Sequence, residues 1–308
     1  MRVALYGAGQ LTTNVAGILA RRPDVDVLGP YGRDRRDEAL RSGADIVVIA
    51  TTSFLADVAP DIRQAVEAGS NVITSAEEAA FPWAVDEALA RQLDELARAR
   101  GVTILGGGIN PGFAFDALVV TAMGPAADVS SLRVERIVDC SGFGTAILQR
   151  IGFGFTAEEF EAGVKTGAIT GHIGFPQSMN VVAGALGLKL DRVDRKITPI
   201  FAEREYRVPA LTVEAGRTAG FEQHYMGVVD GSPWFEALFT AHLDPVSIGK
   251  PPRDEIWIEG TPDLHYAIVP GFNAQSGSSA LVANSVRRVA EAPPGWLTVA
   301  DLPPASPR

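Results

Sequence analysis

Met1-Arg2-Val3-Ala4-Leu5-Tyr6-Gly7-Ala8-Gly9-Gln10 opens the chain, and its reading decides the fold. Val3 to Tyr6 form a short apolar run of strand type. Gly7-Ala8-Gly9 then turns the chain into a helix carrying Thr12, Val15, Ile18 and Leu19. A strand, a glycine turn and a helix in this order cradle the phosphates of a dinucleotide. The glycines let backbone approach a pyrophosphate, and the helix N-terminus offers free N–H groups and the positive end of its dipole. Gly7, Gly9, Gln10 and Leu11 are therefore candidate cofactor contacts. The place of a third glycine is held by Thr12, and two glycines alone also fit an ordinary strand-to-helix turn.

The rhythm downstream strengthens the first reading. Apolar runs recur at 24–28, 44–50, 71–74 and 102–105. The run 44–50 hardly alternates, as expected of a strand buried on both faces. Helical segments at 54–68 and 83–100 separate these runs, so strands and helices alternate. The expected fold is α/β, with an N-terminal Rossmann domain built on a doubly wound parallel sheet over residues 1–125. Residues 126–277 read as a second, α+β domain. It starts with an alternating strand at 131–138 and helices at 157–165 and 177–186. Clustered strands at 196–200, 220–229, 235–241, 255–258 and 264–269 predict a mostly antiparallel sheet there. A helix over 278–290 is expected to pack near the first domain, and the Pro-rich tail beyond it reads as extended.

A chain of 308 residues can bury a large core, and 46% hydrophobic with 21% charged residues is ordinary for a globular protein. The net charge of -10 disfavours nucleic acid and anionic membranes as partners. One cysteine, Cys140, permits no internal disulfide, which fits a reducing, cytoplasmic setting. No Cys/His metal spacing is present. The N-terminus reads directly as a core strand rather than a signal peptide, and no apolar stretch is long enough to span a bilayer.

Loops that follow the parallel strands carry the candidate chemistry, because ligands bind at that edge of an open α/β sheet. Arg33 and Arg36 lie in Tyr31-Gly32-Arg33-Asp34-Arg35-Arg36, after the second strand. An arginine there suits the 2′-phosphate of NADP, where an acidic residue would suit NAD. NADP is thus the expected cofactor, with NAD as the alternative; a solvated charge run is the bland reading. Thr51, Thr52 and Ser53 follow the third strand, and Ser53 is placed to cap the next helix. Ser75, Glu77 and Glu78 follow the fourth, where a glutamate serves either the site or a helix start. Gly108 and Asn110 follow the fifth, in Gly106-Gly107-Gly108-Ile109-Asn110-Pro111-Gly112. Its amide both donates and accepts hydrogen bonds, although Asn-Pro-Gly is also a turn signal. His172, between Gly171 and Gly174, suits proton transfer or a structural role. Phe143, Phe153, Phe155 and Phe175 fit an apolar pocket or a core. Cys140 and Lys165 read as core and surface residues.

Several segments together resemble one family: Gly7-Ala8-Gly9-Gln10, Thr74-Ser75-Ala76-Glu77-Glu78, Leu105-Gly106-Gly107-Gly108-Ile109-Asn110-Pro111-Gly112-Phe113, Gly171-His172-Ile173-Gly174-Phe175, and the ending from Val282-Ala283-Asn284 to Pro294-Gly295. The chain is similar to the 2,4-diaminopentanoate dehydrogenase and native amine dehydrogenase group, related to dihydrodipicolinate reductase through its N-terminal domain. The resemblance implies NAD(P)-dependent oxidation of an amine carbon, or reductive amination in reverse, on a small amine or ketone substrate. It also implies a homodimer formed by the second domain. Asn110, His172 and Glu77 become the candidate catalytic residues. The resemblance leads one to expect a glutamate in or near the loop after the fifth strand, where this chain has Asn110. That leaves a carbonyl or imine reductase without ammonia incorporation as the alternative. A protein that senses NADP without turnover is an alternative of another class.

Overall fold

Ile46-Val47-Val48-Ile49 is buried at every position, and it lies in the middle of a six-stranded sheet. The computed structural model describes residues 1–307. Strands and helices first alternate: β1 (Arg2–Tyr6), α1 (Gln10–Leu19), β2 (Asp26–Tyr31), α2 (Arg36–Leu40), β3 (Ile46–Ile49), α3 (Leu55–Glu67), β4 (Asn71–Thr74), α4 (Glu87–Arg100), β5 (Thr103–Gly106) and α5 (Ala117–Met123). Then come β6 (Val129–Asp139), α6 (Thr145–Arg150), α7 (Ala157–Thr166) and α8 (Phe175–Ala185). A run of strands follows: β7 (Arg192–Phe201), β8 (Tyr206–Val208), β9 (Leu211–Val213), β10 (Thr218–Val229), β11 (Ser232–His242), β12 (Arg253–Gly260) and β13 (Leu264–Ile268). The chain ends with α9 (Ala274–Ala290) and β14 (Gly295–Leu297).

Two units emerge. The first holds Met1–Thr121, Pro176–Leu188 and the chain from Ala274 onward; the second holds Ala122–Phe175 and Lys189–Asn273. In the first, the sheet order is β14-β5-β4-β3-β1-β2, with every pair parallel. Both faces are covered. Leu55, Val58 and Ile62 of α3 join one core, and Val15 and Leu19 of α1 with Val282, Val286 and Val289 of α9 join the other. This is the doubly wound Rossmann arrangement.

Three sequence readings need correction here. The second strand runs later than 24–28, ending at Tyr31. Residues 176–188, read as part of the second domain, pack in the first unit, where Val181 enters the core beside Val282. The tail is not merely extended: Gly295–Leu297 pairs parallel with β5, and the Trp296 indole N–H donates to the Ala79 carbonyl at 3.1 Å. Three residues of strand are too short to leave a periodic signal.

The second unit is built on a six-stranded sheet of order β13-β12-β6-β11-β10-β7. All of its pairs are antiparallel except β6 with β11. Alternation sorts its faces. Phe221, Tyr225, Phe235, Phe239, Ile256 and Ile258 are buried on one side, where Arg136 also pairs with Asp254 at 2.6 Å. The other side carries Arg133, Glu135, Lys196, Glu222, His224 and Glu236. Phe153 and Phe175 are core residues, in ring contact with Phe221 and with Tyr225 and Phe239. Among the described residues, no helix is long and apolar enough to cross a membrane.

Candidate functional site

In the first unit, every candidate loop leaves the same edge of the sheet. Main-chain bonds stitch these loops together. Gly7 N–H donates to the Tyr31 carbonyl at 2.9 Å, Ser75 N–H to Ile49 at 3.1 Å, and Gly107 N–H to Thr74 at 2.9 Å. Gly7 sits at φ +126, and an added Cβ would lie 2.4 Å from the Ala50 carbonyl oxygen. Gly9 differs, because a Cβ there would meet nothing within 4 Å. Thr12 replaces the third glycine without blocking the turn; its hydroxyl donates to the carbonyls of Gly7 and Gly9 at 2.7 and 2.9 Å. The space beside Gly9, at the N-terminus of α1, fits a pyrophosphate. Gln10 and Leu11 form the first turn of that helix, with the Gln10 amide bonded to Asn14 at 2.7 Å.

After β2 the two candidate arginines diverge. Arg36 turns toward α3, where its guanidinium meets Asp61 at 2.6 Å and Gln64 at 2.7 Å. Arg33 is exposed and makes no ion pair among the described residues. The Arg35 guanidinium stacks over the Tyr31 ring at 4.6 Å. After β3, Thr52 bonds Asp57 at 3.1 Å, and Thr51 is half-buried beside it. Ser53 does not cap α3. That task falls to Glu78, whose Oε2 accepts from Leu55 N–H at 2.7 Å, while the Ser53 hydroxyl donates to Glu77 at 3.3 Å. Neither glutamate is out in solvent. Ser75 is half-buried at the end of β4.

Asn110 is the most informative of these residues. It is 7% exposed, and neither its amide nitrogen nor its amide oxygen has a partner among the described residues. A buried amide left unbonded costs on the order of 1–3 kcal/mol, so an amide in this state is a place for a polar ligand. Its loop is tightly closed. Gly108 N–H donates to the Pro111 carbonyl at 2.7 Å, and Ile109 N–H to the Ser278 hydroxyl of α9 at 3.2 Å. A Cβ on Gly112 would lie 2.3 Å from the Gly108 nitrogen.

In the second unit, His172 is half-buried. Its ring lies 5.0 Å from that of Phe175 and 5.2 Å from that of Phe239. Gln223, fully buried on β10, grips its backbone from both sides. Gln223 Oε1 accepts from His172 N–H at 2.8 Å, and Nε2 donates to the His172 carbonyl at 3.1 Å. The Tyr225 hydroxyl donates to the same carbonyl at 3.2 Å. A half-buried imidazole held by its main chain among aromatic rings is a group able to carry a proton.

Residues 113–307 match the model of the 2,4-diaminopentanoate dehydrogenase C-terminal domain. The 2,4-diaminopentanoate dehydrogenase of Acetoanaerobium sticklandii is 32% identical, over 98% of this chain and 93% of that protein. The chain belongs to the 2,4-diaminopentanoate dehydrogenase family. It is an NAD(P)-dependent oxidoreductase. Among solved structures, an amine dehydrogenase from Mycobacterium smegmatis shares the fold, with TM-score 0.83, 24% identity and coverage of 99% of this chain and 97% of that one. An NAD binding oxidoreductase from Klebsiella pneumoniae matches more distantly, at TM-score 0.52 and 14% identity over 94% and 89% of the two chains.

Two residues of this family member escaped sequence reading. Asp116 is fully buried and bonds the Asn110 loop, and Gln223 holds His172. The partners of Gln223 lie some fifty positions away, so no local pattern marks it. Asp116 lies just beyond the quoted segment, six residues after Asn110, and no local pattern sets a lone aspartate after a turn apart.

Proposed function

We propose that this protein is an NADP-preferring dehydrogenase of a small amine, running in reverse as a reductase of the corresponding imine or ketone. The unbonded, buried amide of Asn110 carries the reading. Bound nicotinamide supplies hydride chemistry at its C4. The chain's own residues supply the rest. Gly7 and Gly9, with the first turn of α1, hold the pyrophosphate. Arg33, free of any carboxylate, faces outward where a 2′-phosphate is read. Asn110 orients the reacting group: its N–H donates to a carbonyl oxygen, or its C=O accepts from an iminium N–H. An amide is no general base near neutral pH, so the proton falls to another group, with His172 first and Glu77 second. The first unit then acts as the cofactor domain and the second as the substrate and dimerisation domain.

A second reading has a specific observation in its favour. Asn110 is a neutral amide, and the nearest carboxylate along the chain, Asp116, is already bonded to three donors. Such a loop has no free base to take a proton from ammonium, which favours a carbonyl or imine reductase without ammonia incorporation. One experiment separates the two: NADPH oxidation with a panel of small ketones, with and without ammonium. The amine dehydrogenase reading expects an amine product and a rate that rises with ammonium. An ammonium-independent rate with alcohol as product assigns the carbonyl reductase, and no oxidation of NADPH with any ketone or preformed imine would overturn both.

A further inference from the structure

Asp116 is a buried carboxylate that neither the cofactor nor the substrate reading uses. It is 0% exposed and has no cationic partner among the described residues. Burial pushes its carboxyl above the usual carboxylate range, and the hydrogen bonds it receives oppose this. Those bonds converge from three segments. Its Oδ2 accepts from Gly112 N–H at 2.6 Å and from the Ser178 hydroxyl at 2.8 Å. Its Oδ1 accepts from Ala117 N–H at 2.7 Å. Gly112 ends the turn that presents Asn110, Ala117 begins α5, and Ser178 belongs to α8. One carboxylate therefore ties the Asn110 turn to two helices.

A carboxylate is an acceptor at both oxygens, which this arrangement requires. An asparagine has only one acceptor oxygen. Placed here it leaves one backbone N–H, at Gly112 or at Ala117, facing an amide NH₂. The turn has little slack to absorb that. The Gly112 and Gly108 backbones pack so closely that a Cβ on Gly112 would lie 2.3 Å from the Gly108 nitrogen, and Gly108 N–H is already tied to Pro111. A loosened Gly112 shifts Pro111 and Asn110 with it.

We propose that Asp116 is the positioning residue of the Asn110 amide, fixing where the substrate's reacting group is held. This rests on the reading that Asn110 orients that group. The test is a double-mutant cycle on the full-length enzyme, using the fastest substrate found among primary amines, 2,4-diaminopentanoate included, with NADP⁺ as oxidant, or among small ketones with NADPH as reductant. Asp116→Asn should lower kcat by ~10- to 100-fold, the scale of a small misplacement in an oriented site. KM and NADPH affinity should stay within about 2-fold, since no binding contact is removed. In an Asn110→Ala background the same change should cost almost nothing more, because the group being positioned is gone. Ser178→Ala removes one donor without adding another, and serves if Asp116→Asn fails to fold; it should show the same split at smaller size. Hydrogen exchange at Gly112 and Ala117 should quicken by about 10-fold in the aspartate variant, independently of any substrate. Unchanged kcat, unchanged exchange, or losses that multiply across the cycle would each overturn the assignment. Full turnover in Asn110→Ala alone would instead sink the reading beneath it.

Discussion

Gly9 and Arg33 make the cofactor side of the account testable one residue at a time. A methyl on Gly9 meets open space and its φ of -91 suits any residue, so Gly9→Ala should leave thermal stability nearly unchanged. The same methyl would occupy the space left for the pyrophosphate, so NADPH and NADH affinity should both fall. A variant that binds both cofactors normally would show that the phosphates lie elsewhere. Arg33→Ala should behave differently. It removes a charge-assisted contact of about 1.5–3 kcal/mol, so NADPH affinity should drop by ~10-fold or more while NADH changes little. Equal losses for both would show that Arg33 does not read the 2′-phosphate. The sequence exposed both residues because each follows a strand end. It could not separate Arg33 from Arg36, since only the fold reveals that Asp61 and Gln64 on α3 claim the second guanidinium.

Among the elements, β11 ends in a group that links stability to pH. His242 is fully buried, and its Nδ1 accepts from Asp244 N–H at 3.0 Å. Nε2 must then carry the proton of the neutral ring. Burial pushes the imidazole pKa below its ordinary value, against the opposing charges of Asp244 and Asp139. Folding therefore favours the neutral form. Its contribution is complete above the unfolded value of about 6.5 and is lost as pH falls below it. The urea midpoint of the wild type should fall between pH 7 and pH 5 more steeply than that of His242→Asn, which keeps an acceptor for Asp244. Equal slopes would exclude His242 as the cause. The same scale shows what was legible in the chain. β3 was plain because a strand buried on both faces reads as an unbroken apolar run. The Asn110 turn was plain because glycines and a proline punctuate it. β14 was not, since three residues acquire strand character only by pairing with β5. The grip of Gln223 on His172 was also hidden, because β10 and the His172 loop meet only in the folded chain.

For the whole molecule, we propose a homodimer through the charged face of the second sheet. That face carries both signs of charge, with Arg133, Lys196 and His224 among Glu135, Glu222 and Glu236, and a mixed-charge patch can be complementary to itself across a two-fold axis. Sedimentation at micromolar concentration should give twice the 32.5 kDa of one chain. A lone 32.5 kDa species would end this proposal. The net charge of -10 leaves the electrostatic attraction of an anionic cofactor to local features, the α1 N-terminus and Arg33. The proposed function stands on the Asn110 amide orienting the reacting group. Steady-state turnover of Asn110→Ala, measured beside NADPH binding by fluorescence, tests it most directly. Turnover should fall by roughly 10- to 1000-fold, the scale of losing one positioned donor, with cofactor affinity nearly unchanged. Full turnover in that variant would reduce Asn110 to a turn residue and rule out its role in orienting the substrate.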